Sequence, residues 1–293
     1  MVCLSSDPPR TQRQMSVART TFLEKMGKAL KLGGLVAGLP VFFEPYLFEV
    51  NTYRVPLSRL PASFTGFRIA QITDLHYGFF MPDRFLERVV RRVNGMKPDL
   101  IACTGDFVHA RGNIDNIDAV WAHLKRLRAP AGVWAVLGNH DHYLGFGRSL
   151  NRMTRSGMSL RHRSISIQRD DSRIWIGGAG DHQTDEEGVD VAFKGVPADA
   201  CKILLAHNPE TADAAFRTTV DLVVSGHTHG GQVKIPFIAP PKLPVRNGRY
   251  ISGLMQTERA QLFISRGIGW AGLPIRFNCF PEIAVLELVR GNA

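Results

Sequence analysis

Five short apolar runs in this chain each lead into a residue able to bind a cation or move a proton, and that repetition narrows the fold it can adopt. Ile69-Ala70-Gln71-Ile72 runs into Asp74-Leu75-His76, Leu100-Ile101-Ala102-Cys103 into Gly105-Asp106, and 133–137 into Gly138-Asn139-His140-Asp141. Later, Ile203-Leu204-Leu205 precedes Ala206-His207-Asn208, and Leu222-Val223-Val224 precedes Ser225-Gly226-His227-Thr228-His229-Gly230-Gly231-Gln232. Apolar runs of this length, bounded by glycine and polar residues, read as strands. Between the first three, apolar residues recur at helical spacing. Phe85, Leu86, Val89, Val90 and Val93 predict a helix over 83–93, capped by Asp83 and stopped by Asn94-Gly95, and Ile117, Val120, Trp121, Leu124 and Leu127 mark another.

Alternating strands and helices predict an α/β domain in which loops beyond the strand carboxyl ends converge on one edge. Past Gly157 the pattern shortens to strands, with a turn at Asp170-Asp171-Ser172, a short helical stretch over 210–216, and closing strands near 250–255, 262–265 and 282–289. The first strand of this domain is read at 67–72. The chain therefore divides into an N-terminal basic and apolar segment, 1–60, and a catalytic domain, 61–293.

The converging loops define a chemistry. His227 and His229, one residue apart on a glycine-rich loop, can turn their nitrogens toward a common region. Asp74, His76, Asp106, Asn139 and His207 supply the remaining donors. Two carboxylates, one amide oxygen and four imidazoles suit borderline ions such as Mn, Fe, Zn or Co, with Mn favoured, whereas Mg or Ca prefers oxygen donors. Seven protein ligands are too many for one ion, so two divalent ions sharing a bridging carboxylate are expected, with Asp106 as the natural bridge.

The ordered set Asp-x-His, Gly-Asp, Gly-Asn-His-Asp, His and Gly-His-x-His resembles the calcineurin-like metallophosphoesterase superfamily from about Phe67 to Val289. Within it, 205–210, 226–232 and the tail from Ser265-Arg266-Gly267 through Pro274-Ile275-Arg276 are similar to bacterial YaeI-like phosphodiesterases. The resemblance implies two mixed β-sheets packed as a sandwich and flanked by helices. It implies that Asp74, His76 and His229 hold one metal, Asn139, His207 and His227 the other, and that Asp106 bridges them. His140 is then the catalytic residue, unligated over the phosphoryl group, while metal-bound hydroxide attacks in line from the opposite side. Asp141 would orient His140 or a ligand. His109, His123, His142, His162 and His182 are read as surface or local hydrogen-bonding residues, with His182 the one closest to a cleft role. Arg266 and Arg276 are weaker candidates, as phosphate contacts, and surface charge explains them equally well.

The activity implied is hydrolysis of a phosphorus ester, as a phosphodiesterase or pyrophosphatase. One alternative is a UDP-2,3-diacylglucosamine pyrophosphatase of lipid A synthesis; another is a non-catalytic scaffold on the same fold. A formal charge of +10 favours an anionic partner, a phosphorylated small molecule or a lipid-linked substrate. No basic-aromatic nucleic-acid motif is present. Cys3, Cys103, Cys201 and Cys279 form no Cys-x-x-Cys pair and are read as free thiols.

In the N-terminal segment, a basic stretch leads to an uncharged run from Leu32 to Phe43, too short to span a bilayer. Arg19-Thr20-Thr21-Phe22-Leu23-Glu24-Lys25 resembles a twin-arginine export signal with Thr20 in place of the second arginine. Phe42, Phe43, Tyr46 and Phe48 suit a membrane interface or packing on the main domain. Residues 10–50 are thus expected to meet a membrane surface, placing the protein on the periplasmic or cytoplasmic face of the inner membrane, with a soluble cytoplasmic location as the alternative. Oligomeric state is not legible.

Overall fold

A computed structural model describes residues 41–78, 80–237 and 243–291. The export-like stretch and most of the 10–50 segment lie outside the described residues. Two mixed sheets pack face to face. The first has the order β1-β11-β2-β3-β4, built from β1 (Glu49–Leu57), β2 (Arg68–Ile72), β3 (Leu100–Thr104), β4 (Val133–Val136) and β11 (Glu282–Arg290). The second has the order β5-β6-β7-β8-β10-β9, from β5 (Arg163–Arg169), β6 (Ser172–Gly178), β7 (Cys201–Leu205), β8 (Leu222–Ser225), β9 (Gly253–Gln256) and β10 (Gln261–Ile264).

Period-two alternation explains the layering. In β3, Leu100 and Ala102 point between the sheets, where they meet Ile176, Ile203, Leu205 and Val224 of the second sheet. Ile101 and Cys103 point to the opposite face. That face is covered by α1 (Asp83–Gly95), α2 (Asn116–Leu124) and α3 (Asn139–Arg155), through residues such as Leu86, Val89, Val120 and Met153. Strands buried on both faces read as continuous apolar runs, which is why they stand out in the sequence. Burying each such side chain contributes about 1.5–3 kcal/mol. A short helix, α4 (Val189–Ala192), and Phe193 close the outer face of the second sheet with Leu204 and Val223.

Several expectations change. The domain boundary at residue 60 cuts through the fold, because β1 pairs in parallel with β11 from Glu49↔Glu282 to Leu57↔Arg290 and buries Val55 and Leu57 between the sheets. Pro56 and the polar Asn51, Thr52 and Arg54 conceal this strand at the sheet edge. The aromatic residues before it divide. Tyr46 packs edge-on against Trp270 and Phe85, and Phe48 against Phe85, whereas Phe42 and Phe43 are exposed. Asp83 starts α1 without capping it, its carboxylate accepting instead from the Tyr77 hydroxyl. The Gly138 loop continues as α3, interrupted at Gly145, and the 210–216 stretch is a 3-10 turn at Pro209–Asp213. No helix among the described residues is long and apolar enough to cross a membrane.

The parallel strands β2, β3 and β4 of one sheet and β7 and β8 of the other bring their carboxyl ends to the same edge. Gln71, buried between the sheets, donates to Ser225 O at 2.9 Å and to Thr104 Oγ1 at 2.7 Å, tying the two sheets together just below the loops.

Candidate metal centre

Backbone hydrogen bonds join the first loop to the second and the fourth to the fifth. Asp74 N donates to Gly105 O and His76 N to Asp106 O, while Gly226 N donates to His207 O, each at 3.0 Å. His227 N lies 3.0 Å from both carboxylate oxygens of Asp74, crossing from one sheet to the other. Asp74, His76, Asp106, His227 and His229 all have positive φ, between 48° and 71°. Such conformations cost about 1–3 kcal/mol each in non-glycine residues and persist where surrounding structure over-determines them, which is common at functional sites. The glycines permit close approach. A Cβ on Gly226 would collide with Asp74 Oδ2 and Thr73 Oγ1, and one on Gly138 would lie 2.7 Å from the His207 ring.

The side chains gather into overlapping groups with potential ligand atoms within 4.8 Å of one another: Asp74 with His76 and His229, Asp106 with His207 and His227, and His76 with Asp106 and His140. His76 Nε2 and His229 Nε2 are 2.9 Å apart, and His207 Nε2 and His227 Nδ1 3.0 Å. Asp106 lies between the pairs, its Oδ2 3.2 Å from His207 Nε2 and 3.6 Å from His76 Nε2. Asn139 is buried beside Gly138, and its Oδ1 has no hydrogen-bond partner among the described residues. His76 Nδ1 also has no partner among the described residues, while its Nε2 faces His229 and Asp106.

The partners of the outer nitrogens determine what the inner ones present. His207 Nδ1 is 2.8 Å from Thr104 O and His227 Nε2 is 3.2 Å from Pro244 O. A carbonyl only accepts, so both rings carry protons there, and their facing nitrogens are bare in the neutral state. Two lone pairs and a carboxylate oxygen pointing at one another repel unless a positive charge sits among them. Without a metal a proton takes that position: burial opposes it, but the Asp106 carboxylate outweighs burial and raises His207 to about 10. Burial, with Asp106 adding to it, pushes Asp74 up to about 6. Burial also holds His76 and His229 well below the ordinary histidine range, so these two rings are neutral and able to ligate. An unpartnered buried amide oxygen costs about 1–3 kcal/mol, which coordination of a cation by Asn139 would offset. The donor set therefore fits two divalent ions.

His140 stands in the first turn of α3, half-buried, with its ring centroid 4.5 Å from that of His76. Its Nδ1 accepts from Ala110 N at 3.0 Å, leaving Nε2 to carry the proton of the neutral ring. Its backbone N–H donates to Asp106 Oδ1 at 2.8 Å. Asp141 does not orient His140 or a ligand side chain. Its carboxylate accepts from the backbone of Phe107 and Gly138, both at 3.0 Å, and of Val108 at 3.2 Å. It thus clamps the loop carrying Asp106 to the loop carrying Asn139, because inward-facing N–H groups of both turns meet it.

Other contributors were hidden in the sequence. His109 is buried, with its ring edge-on to His76 and His140. Gln183 Nε2 is 3.4 Å from His227 Nε2. Arg276 is fully buried rather than surface charge: it donates to the carbonyls of Arg266, Gly267, Gly269 and Cys279 and lies 3.4 Å from His229 Nδ1. Burial lowers it to about 10, so it stays charged at neutral pH. Arg266 instead pairs with Glu49 and Glu282. A cleft of about 620 Å³ next to His227 is lined by Tyr143, His182, Gln183, Glu210, Leu243 and Arg246, among others.

Comparison with known proteins agrees with this geometry. The family model described as calcineurin-like phosphoesterase matches residues 67–231. The chain is 34% identical to the uncharacterized metallophosphoesterase YkuE of Bacillus subtilis, over 94% of this chain and 99% of that one. It is 30% identical to the phosphodiesterase YaeI of Escherichia coli, over 85% and 91% of the two chains. It is 28% identical to the UDP-2,3-diacylglucosamine pyrophosphatase LpxG of Chlamydia trachomatis, over 83% and 90%. With more than half of its length matched by the family model and its fold and loop order in agreement, this chain belongs to the calcineurin-like phosphoesterase family and is a metal-dependent phosphoric ester hydrolase.

Proposed function

We propose that the protein is a dimetal phosphodiesterase or pyrophosphatase in which Asp74, His76 and His229 hold one divalent ion, Asn139, His207 and His227 hold the other, and Asp106 bridges them. The observation that carries this reading is the Asp106 carboxylate, whose Oδ2 lies between a histidine of each group. Bound ions of the Mn, Fe, Zn or Co type, Mn favoured, would neutralise charge on the phosphoryl oxygens and activate a water for in-line attack. The chain's own groups do the rest. His140 presents Nε2–H to the phosphoryl or leaving oxygen and is held there by Ala110 N–H on Nδ1. Asp141 keeps the Asp106 and Asn139 loops in register.

The cleft beside His227 supports an ester with a substantial group on the far side of the phosphorus, as a diester or pyrophosphate has and a small monoester lacks. The substrate is read as anionic and membrane-associated, from the +10 charge and the uncharged run preceding Phe43. The similarity to LpxG favours a second reading within this class, a nucleotide-linked diacyl-sugar pyrophosphate. The test is a panel of bis-p-nitrophenyl phosphate, p-nitrophenyl phosphate and UDP-2,3-diacylglucosamine after chelation and Mn addition. Mn-dependent turnover of the diester above the monoester is expected. Monoester preference contradicts the diesterase reading, and diester turnover with no cleavage of the nucleotide lipid removes the second reading.

A further inference from the structure

We propose that an exposed apolar rim at the mouth of the metal centre, formed by Phe42, Phe43, Phe80, Ile235, Phe237 and Leu273, docks the protein on an anionic lipid bilayer. These side chains come from four separate segments. Phe42 and Phe43 are 61% and 62% exposed, Phe80 63%, Leu273 60%, and Phe237 projects fully into solvent. Hydrogen bonds stitch the segments into one border. Tyr46 Oη donates to Phe80 O, Arg276 N donates to Val41 O, Lys234 N donates to Phe277 O, and the Gln232 amide donates to Leu273 O. Arg276 and Gln232 join the border to the centre, the first lying 3.4 Å from His229 Nδ1 and the second donating its backbone N–H to His229 O.

A soluble surface rarely concentrates this many large apolar side chains, and such patches mark contact sites. Three observations select a bilayer as the occupant. The residues project from a helical turn at Phe42 and Phe43 and from non-helical segments at Phe80, Ile235, Phe237 and Leu273, a dispersed set of apolar contacts that suits a fluid phase needing no matching shape. Phenylalanine dominates with leucine and isoleucine beside it, and Phe and Leu are the side chains that interfacial segments bury at the headgroup–acyl boundary. Positive charge accompanies them: Arg84 and Arg88 are exposed beside the Phe80 segment, and Lys234 adjoins Ile235. Basic residues next to an apolar surface are attracted to anionic headgroups. A lipid-linked phosphorus ester would then reach His140 and the histidine pairs without leaving the interface. This purpose rests on the membrane-associated reading of the substrate, whereas docking itself is measured without turnover.

The experiment uses the full chain with vesicles of phosphatidylcholine alone, or with about one-third phosphatidylglycerol. In Phe237→Trp, brominated-chain lipid should quench the introduced fluorophore beyond any quenching of the parent's tryptophans, and more so with the anionic lipid. A second variant, Phe80→Ser/Phe237→Ser/Leu273→Ser, should partition onto anionic vesicles about tenfold or more weakly, while bis-p-nitrophenyl phosphate turnover in solution stays at the parent's level. Quenching in Phe237→Trp equal to the parent overturns the proposal. So does a triple variant that binds vesicles as the parent does, or that only converts a dimer to a monomer. Loss of soluble diester turnover in the parent itself would fall on the proposed function and leave the docking result standing.

Discussion

Replacing Asp141 by Asn tests how the site is held together, because the change alters charge and one acceptor while keeping shape. In the native protein one carboxylate oxygen accepts from Phe107 N and Val108 N, and the other accepts from Gly138 N at 3.0 Å. An asparagine can keep the first pair through its carbonyl but turns an NH2 toward the Gly138 N–H. One buried donor then loses its partner, at about 1–3 kcal/mol. At about 2–4 °C per kcal/mol, the melting temperature should fall by several degrees. Asp141→Ala strands all three donors and should cost roughly twice as much or more. Because Gly138 sits against Asp106 and His207, both variants should also bind Mn more weakly. Thermal unfolding of chelated and Mn-loaded protein reads both effects. An Asn variant as stable as the parent, or an Ala variant no worse than the Asn, would refute the clamp.

His140→Ala should retain the parent's metal content and lose about two to four orders of magnitude in turnover, the usual scale for acid-base catalysis; full activity would remove His140 from the mechanism. His227→Ala and His229→Ala should each empty one site preferentially, measurable as metal per chain and as distinct Mn spectroscopic signatures. Gly226→Ala places a methyl group against Asp74 and 2.8 Å from Thr73 Cγ2, and overpacking of this kind costs about 1–3 kcal/mol; metal should be lost first from the Asp74 group. With His207 raised to about 10 in the metal-free protein, its ring is protonated at neutral pH. The stability this pair contributes is full below the unfolded histidine pKa of about 6.5 and is lost as pH rises through about 10. Metal must displace that proton, so affinity should climb from pH 6 to 9 by up to about tenfold per pH unit, and calorimetry in buffers of different ionisation enthalpy should show proton release. A pH-independent affinity would contradict the assignment.

The ligand-bearing loops were legible because each follows a strand whose last residues are buried, and an apolar run giving way abruptly to glycine and polar donors is visible without a structure. Strand β1 was not, since Pro56 and alternating polar residues make an edge strand look like linker, and only its pairing with β11 shows that it belongs to the fold. Arg276 was misread for a different reason: its partners are carbonyl oxygens, which every residue has, so no sequence pattern marks a buried arginine of this kind. Asp141 was read as orienting His140 or a ligand, whereas its carboxylate accepts from backbone N–H groups, a role that depends on the turn geometry at Phe107 and Gly138. His109 sits three residues past Asp106, in no recognisable spacing, and joins the histidine group only because the Tyr77↔Val108 bridge lays the two loops side by side.

Metal stoichiometry tests the central claim most directly. The chelated, Mn-reconstituted full chain and its Asp106→Asn variant would be measured by elemental analysis after removal of free ion. Two bound ions per chain are predicted for the parent, as paired-metal sites of this chemistry require, with both ions and diester hydrolysis lost together in Asp106→Asn. A parent that saturates at one ion, or an Asp106→Asn variant that keeps two, would contradict a centre bridged by Asp106.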